Sequence, residues 1–134
     1  MKSVPGRLLF FRTHVTAGGT QRTNVRVTDV ERTLIDIAVR PINAGGVAEV
    51  LKAYQRAGQR ASVNRIAALL RQIGHVYPYH QAVGFYLDRS GAFSDGAIEL
   101  FRSKFEFKFD FHLTYEMRQP RYDARWKLFV PDGF

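Results

Sequence analysis

From Phe105 to Met117 the chain alternates without a break. Phe105, Phe107, Phe109, Phe111, Leu113, Tyr115 and Met117 take the odd positions, and Glu106, Lys108, Asp110, His112, Thr114 and Glu116 take the even ones. A strict period of two is the signature of a strand with one buried face. An all-helical fold is therefore excluded as an expectation. At about 3.3 Å per residue the run would span about 43 Å, so a bend or bulge is expected within it. Gln119-Pro120-Arg121-Tyr122-Asp123 breaks the pattern, and Arg125–Val130 reads as a return strand.

The opposite end also has strand composition. Arg7–Val15 and Arg22–Val27 flank the turn-forming Ala17-Gly18-Gly19-Thr20, which predicts a hairpin. Helical periodicity fills the middle. Thr28 and Glu31 are spaced as a capping box, with Val30, Leu34, Ile37 and Ala38 on one stripe. Pro41 is expected to stop that helix. Gly45-Gly46 forms a joint before the stripe Val47, Val50, Leu51 and Tyr54, and Gly58 is the expected C-cap. Ser62 opens a helix with Val63, Ile66, Ala67 and Leu70 inward, which Gly74 ends. Pro78 suits the first turn of a helix over 79–89, and Ser94 caps a short one through Phe101. The expected fold is one α+β domain spanning 1–134. About five helices pack on a mostly antiparallel sheet built from the N-terminal and C-terminal strand pairs.

Charge is distributed unevenly. The formal net charge is +8, and residues 1–71 hold 12 Lys/Arg against 4 Asp/Glu, whereas 72–134 hold 8 of each. Such a basic half suits an anionic partner, nucleic acid above all. There is no cysteine, which excludes a disulfide scaffold and a thiolate site. The first apolar run, Leu8–Phe11, is too short for a signal peptide, and no window approaches 18 apolar residues. No membrane association and a cytoplasmic location are expected.

Three constellations are candidates for chemistry. The helix ending at Ala57, the joint Gly58–Ala61 and the helix from Ser62 form a helix-turn-helix-like unit. Arg56, Arg60, Arg65 and Arg71 cluster around it and are the candidate nucleic-acid or anion contacts. Arg65 and Arg71 are six apart and do not share a helix face. Asp95 with Glu106-x-Lys108 has the composition of a Mg²⁺-dependent nuclease site, which makes a nuclease-like domain the alternative reading. His75 and His80 are five apart, not the spacing of a helical metal pair, and neither a metal nor a cofactor is expected. Tyr77, Tyr79, Tyr122 and Trp126, with Arg118, Arg121 and Arg125, have interface composition and suggest a homo-oligomeric scaffold.

The run Val27–Gly58, VTDVERTLIDIAVRPINAGGVAEVLKAYQRAG, resembles the C-terminal domain of AbiEi-family antitoxins. The residues that carry the resemblance are Thr28, Glu31, Arg32, Thr33, Leu34, Asp36, Pro41, Gly45 and Gly46. AVGFYLDRSG (Ala82–Gly91) resembles the family's Leu-Gly-Tyr-Leu helix, and Arg125–Val130 its closing strand around a Trp. The resemblance implies a non-enzymatic antitoxin and transcriptional-regulator module of a type IV toxin–antitoxin (abortive infection) system active in phage defence. It also implies a nucleotidyltransferase-like toxin encoded alongside, countered without a stable complex. Full-length members resemble a winged-helix DNA-binding domain followed by this one, and the expectation for this chain is the second part without the first.

Overall fold

The computed structural model describes residues 29–73 and 79–134. Helix α1 (Val30–Val39) starts from Asp29, whose carboxylate accepts the Arg32 N–H at 2.9 Å. The cap is thus one residue later than the expected Thr28. Asp29 already satisfies the third helical N–H, and Glu31 turns elsewhere instead of reaching back. Thr28 itself lies outside the described residues, as do the expected N-terminal hairpin, Gly74 and Pro78.

After Arg40, the buried Pro41 leads a 3-10 turn, Pro41–Ala44. A proline supplies no N–H, so it ends one helix and starts the next turn at no hydrogen-bonding cost. Gly45 and Gly46 follow with φ of 98° and 106°, a region costly for any residue with a Cβ. Their N–H groups donate to Ile42 and Pro41 carbonyls at 3.2 and 2.8 Å, and Gly46 caps α2 (Val47–Ala57). Gly58 closes α2, its N–H donating to the Tyr54 carbonyl, and a second 3-10 turn, Gly58–Arg60, leads to α3 (Val63–Ile73). The apolar stripes expected for α1, α2 and α3 point inward: Leu34 and Ala38, then Val47, Val50 and Tyr54, then Val63, Ile66, Ala67 and Leu70 are all buried.

Helix α4 (Tyr79–Ser90) is the centre of the domain. Seven consecutive residues, Gln81–Leu87, are buried, and it touches α1, α2, α3 and α5 (Asp95–Ser103). A helix enclosed on every side has no solvent face to mark with charge. Tyr54 binds three helices together: its hydroxyl donates to the Leu34 carbonyl at 2.8 Å while its ring stacks on Tyr86, centroids 5.2 Å apart. Burial pushes both phenols up, and the neighbouring Tyr86 adds to the rise at Tyr54.

The long strand expected over Phe105–Met117 does not form. Among the described residues only Phe111–His112 (β1) of this run pairs, with β2 (Arg121–Asp123) and β3 (Leu128–Val130) completing a sheet of order β1-β3-β2. Side chains, not a neighbouring strand, take the carbonyls of the first part. His80 lies 3.3 Å from the Glu106 carbonyl, Lys127 Nζ donates to Phe107 at 3.4 Å, and Gln81 Nε2 donates to Phe109 at 3.1 Å. The inward alternation still holds for Phe105 and Phe107, which pack on His80 and Trp126, but Phe109 is 69% exposed. Beyond Leu113 the pattern ends: Tyr115 is 91% exposed, and Glu116 and Gln119 adopt left-handed φ of 52° and 43°.

That reversal brings the chain back as β2, inside the segment expected to be a break. A second reversal at Ala124–Lys127 produces β3, antiparallel to β2 with Arg121 opposite Val130 and Asp123 opposite Leu128. Two reversals leave β1 and β3 parallel, with Phe111 opposite Leu128. The fold is α+β, with five α-helices and a small mixed sheet among the described residues.

Candidate nucleic-acid interface

The four candidate arginines lie on α2, on the 3-10 turn after it and on α3. These helices pack on α1 and α4 more than on each other, so the pair is not the tightly crossed unit that its short joint suggested. Arg56, in the last turn of α2, and Arg60, in the 3-10 turn, are exposed, and Arg60 Nη2 donates to the Arg56 carbonyl at 3.4 Å.

Arg65 stays half exposed, but carboxylates hold its head group. Its Nε and Nη2 both donate to Asp29 Oδ2, the Nε contact at 3.0 Å, and its Nε lies 3.8 Å from Glu31 Oε1. Burial pushes the Asp29 carboxyl up, but the Arg32 N–H and the Arg65 guanidinium outweigh it and hold the group below its ordinary value. Glu31, only 8% exposed, accepts the Ser62 N–H at 2.8 Å, while Ser62 Oγ accepts the Arg65 N–H at 3.2 Å. The start of α1 and the start of α3 are thus cross-linked by two carboxylates, a hydroxyl and a guanidinium. Replacing Glu31 with Ala is expected to cost about 1–3 kcal/mol, because it strands a partly buried N–H. Glu31→Gln keeps the acceptor and should retain most of the stability. Urea unfolding of both variants checks the ordering, and equal losses would contradict it.

Arg71 is placed differently again. Near the end of α3 it lines an open groove of about 340 Å³ with Asn64, Ala67, Ala68, Gln72 and, from the end of α5, Lys104. Lys104 Nζ donates to Asn64 Oδ1 at 3.5 Å. Lys104 has no counterpart in the sequence pattern, because only the packing of α5 on α3 brings it there. The signal that was available is the exposed stripe Asn64, Ala68, Arg71 and Gln72, spaced i, i+4, i+7 and i+8 on α3.

The motif residues have structural tasks. Arg32 Nε donates to Asp36 Oδ1 at 3.3 Å, an i, i+4 pair with both side chains about one-fifth exposed. Burial raises the Asp36 carboxyl, with Arg32 opposing it. Asp95 lies exposed in the first turn of α5, while Glu106 and Lys108, on the irregular stretch after α5, pair with one another at 3.6 Å in solvent. Among the described residues no group of three or more His, Asp or Glu side chains is arranged to hold a metal ion. No helix among them is long and apolar enough to cross a membrane.

Of the residues with interface composition, Trp126 is core. It is fully buried, with Nε1–H donating to Asp88 Oδ2 at 2.9 Å. Arg125 lies over its ring and pairs with Asp88 at 3.3 Å and with Glu99. Tyr79 meets Phe111 edge-on, and Tyr122 donates to Asp110 at 2.8 Å, which raises its phenol. Tyr77 lies outside the described residues.

The architecture has a counterpart. The crystal structure of RV2827C protein from Mycobacterium tuberculosis is similar over 81% of this chain, with a TM-score of 0.61 and 19% identity. The match is one of fold. This chain spans 36% of that one. No protein-family model and no curated protein matches the sequence.

Proposed function

We propose that this domain is the non-enzymatic C-terminal module of an AbiEi-type antitoxin and transcriptional regulator. It would act in the cytoplasm in a type IV toxin–antitoxin system of phage defence and counter a nucleotidyltransferase-like toxin. The observation that carries the reading is how the resemblance residues are used. Glu31 caps a neighbouring helix, Arg32 and Asp36 pair along α1, Pro41 divides two turns, and Gly45 and Gly46 take left-handed angles. A motif made of joints and caps suits a regulatory scaffold, whereas an enzyme signature assembles reactive groups in one place. The likeness of this unit to about a third of a longer chain is consistent with a part that works beside another domain.

Nucleic acid is the partner this surface suits. Between Asp29 and Ile73 each acid has a cationic neighbour: Asp29 and Glu31 face Arg65, Asp36 faces Arg32, and Glu49 faces Lys52. Arg40, Arg56, Arg60 and Arg71 have no carboxylate partner among the described residues, so the surplus charge of this region faces solvent. Of the four candidate arginines, Arg56, Arg60 and Arg71 are the stronger contacts, and Arg65 contributes only the outer edge of its ion pair.

The test is a growth assay. The adjacent reading frame is expected to encode a nucleotidyltransferase-like toxin whose induction arrests growth. Coexpression of this chain should restore growth without a complex that survives purification. Continued arrest with the chain present at equal or higher level overturns the proposal.

A further inference from the structure

The groove between α3 and α5 brings together groups from two helices. Two cations, Arg71 and Lys104, line one concavity, and neither has a carboxylate partner among the described residues. Two amides, Asn64 and Gln72, line it with them, and no acidic residue does. The floor is Ala67 and Ala68, so a ligand backbone can approach α3 closely. Its volume, about 340 Å³, is at the lower end of the roughly 300–1,000 Å³ of ligand sites.

We infer that this groove is a phosphodiester-binding site, in which Arg71 and Lys104 neutralise adjacent phosphates of a nucleic-acid strand and Asn64 and Gln72 donate to their oxygens. It rests on the reading that the partner is nucleic acid, and it adds Lys104, Asn64 and Gln72 to the contact set. Guanidinium is the donor geometry for bidentate phosphate contact, and ammonium is a compact charge for the next one along. The Lys104 contact to Asn64 Oδ1 turns the Asn64 NH₂ away from the lysine, where it can donate to a ligand. A polyanion is favoured over a compact acidic peptide because Arg40, Arg56 and Arg60 also lack a carboxylate partner among the described residues. With all four side chains engaged on phosphates, the groove would position a strand without specifying its sequence.

The experiment is fluorescence anisotropy with the full chain, a 20-base-pair DNA duplex and a 20-nucleotide RNA, between 50 and 200 mM salt. Loss of two phosphate contacts makes the duplex salt slope shallower by about 1.8 and weakens binding about 30-fold at 150 mM salt. The single-strand slope should change by about 1.4. Arg71→Ala/Lys104→Ala should show this for whichever strand binds, and Asn64→Ala a smaller loss with the slope intact. Arg118→Ala/Arg121→Ala removes the same charge from the β2 side and should leave the slope within about 0.5 of the parent. All four side chains are on the surface, and matched thermal melts show that each variant is folded.

Equal slopes for the two double variants overturn the site, because the effect is then one of net charge. Absence of binding to either nucleic acid at 50 mM salt overturns it as well. So does polyglutamate competing as strongly as RNA for Arg71 and Lys104, which assigns the groove to an acidic protein. Growth rescue by the Arg71→Ala/Lys104→Ala variant separates the two proposals: rescue without binding removes the groove from antitoxin action and leaves the antitoxin reading standing.

Discussion

Gly84→Ala is expected to destabilise the domain by about 3 kcal/mol or more, the upper end of over-packing effects. Helix propensity alone points the other way, since alanine is favoured over glycine mid-helix by about 1 kcal/mol. Packing reverses the sign. A Cβ on Gly84 would lie 2.1 Å from Cζ3 of Trp126 and 2.6 Å from two further ring carbons. The ring has little freedom to yield. It is fully buried, donates from Nε1 to Asp88, and lies within 6.3 Å of Phe101 and 5.7 Å of Phe107. Trp126 is the chain's one tryptophan, so its emission reports this site alone. Urea unfolding should show the stability loss together with red-shifted emission from the folded state. Adding Trp126→Leu should make the double variant less unstable than the sum of the single effects, because the clash partner is gone. Full additivity, or a Gly84→Ala protein as stable as the parent, would refute the account.

Gln81→Met, nearly conserved in volume, is expected to cost about 2–3 kcal/mol by a different route. Gln81 is fully buried and its Nε2 is within 3.1 Å of three carbonyls, those of Phe109, Trp126 and Lys127. Lys127 keeps the Phe111 N–H at 3.0 Å as a donor. The other two carbonyls would be left unsatisfied at the junction of α4 with the segment before β1. Gln81 Oε1 has no partner among the described residues, which offsets part of the loss because methionine removes that buried oxygen. Equilibrium unfolding measures the balance, and a change under about 0.5 kcal/mol would show that the amide is not what holds the segment to α4.

These two residues also explain what was legible in the sequence. The helices were, because their determinants are local. The stripes of α1 to α3, the stop at Pro41, the glycine caps and the Ser94 cap all depend on neighbours within one or two turns. The Phe105–Met117 run was misleading because alternation reports which side chains face inward, not where the carbonyls go. Its carbonyls go to His80, Gln81 and Lys127, 20 to 28 residues away in sequence. Period 2 persists over Phe105 and Phe107 in a segment that pairs with no strand among the described residues. The candidate interface was legible in part for the same reason. Arg56, Arg60 and Arg71 are exposed as their helical phase requires, but Arg65 is tied to Asp29, 36 residues earlier, and Lys104 comes to the groove from another helix. Trp126, whose composition suggested an outer surface, is internal because a glycine on α4 leaves room for it.

The enclosure of α4 has a consequence for how the domain opens. Its amides are covered by four helices and by the Trp126 segment that packs on Gln81 and Gly84, whereas the strands are two or three residues long. Stability is therefore graded from the centre outward. The edge strand β2 and the exposed stretch around Tyr115 belong to the part that opens by small fluctuations, and α4 to the part that exchanges its protons only when the whole domain unfolds. Fluctuation at the rim leaves the α1–α3 surface intact, so local melting of the sheet need not disturb the face that carries the unpaired arginines.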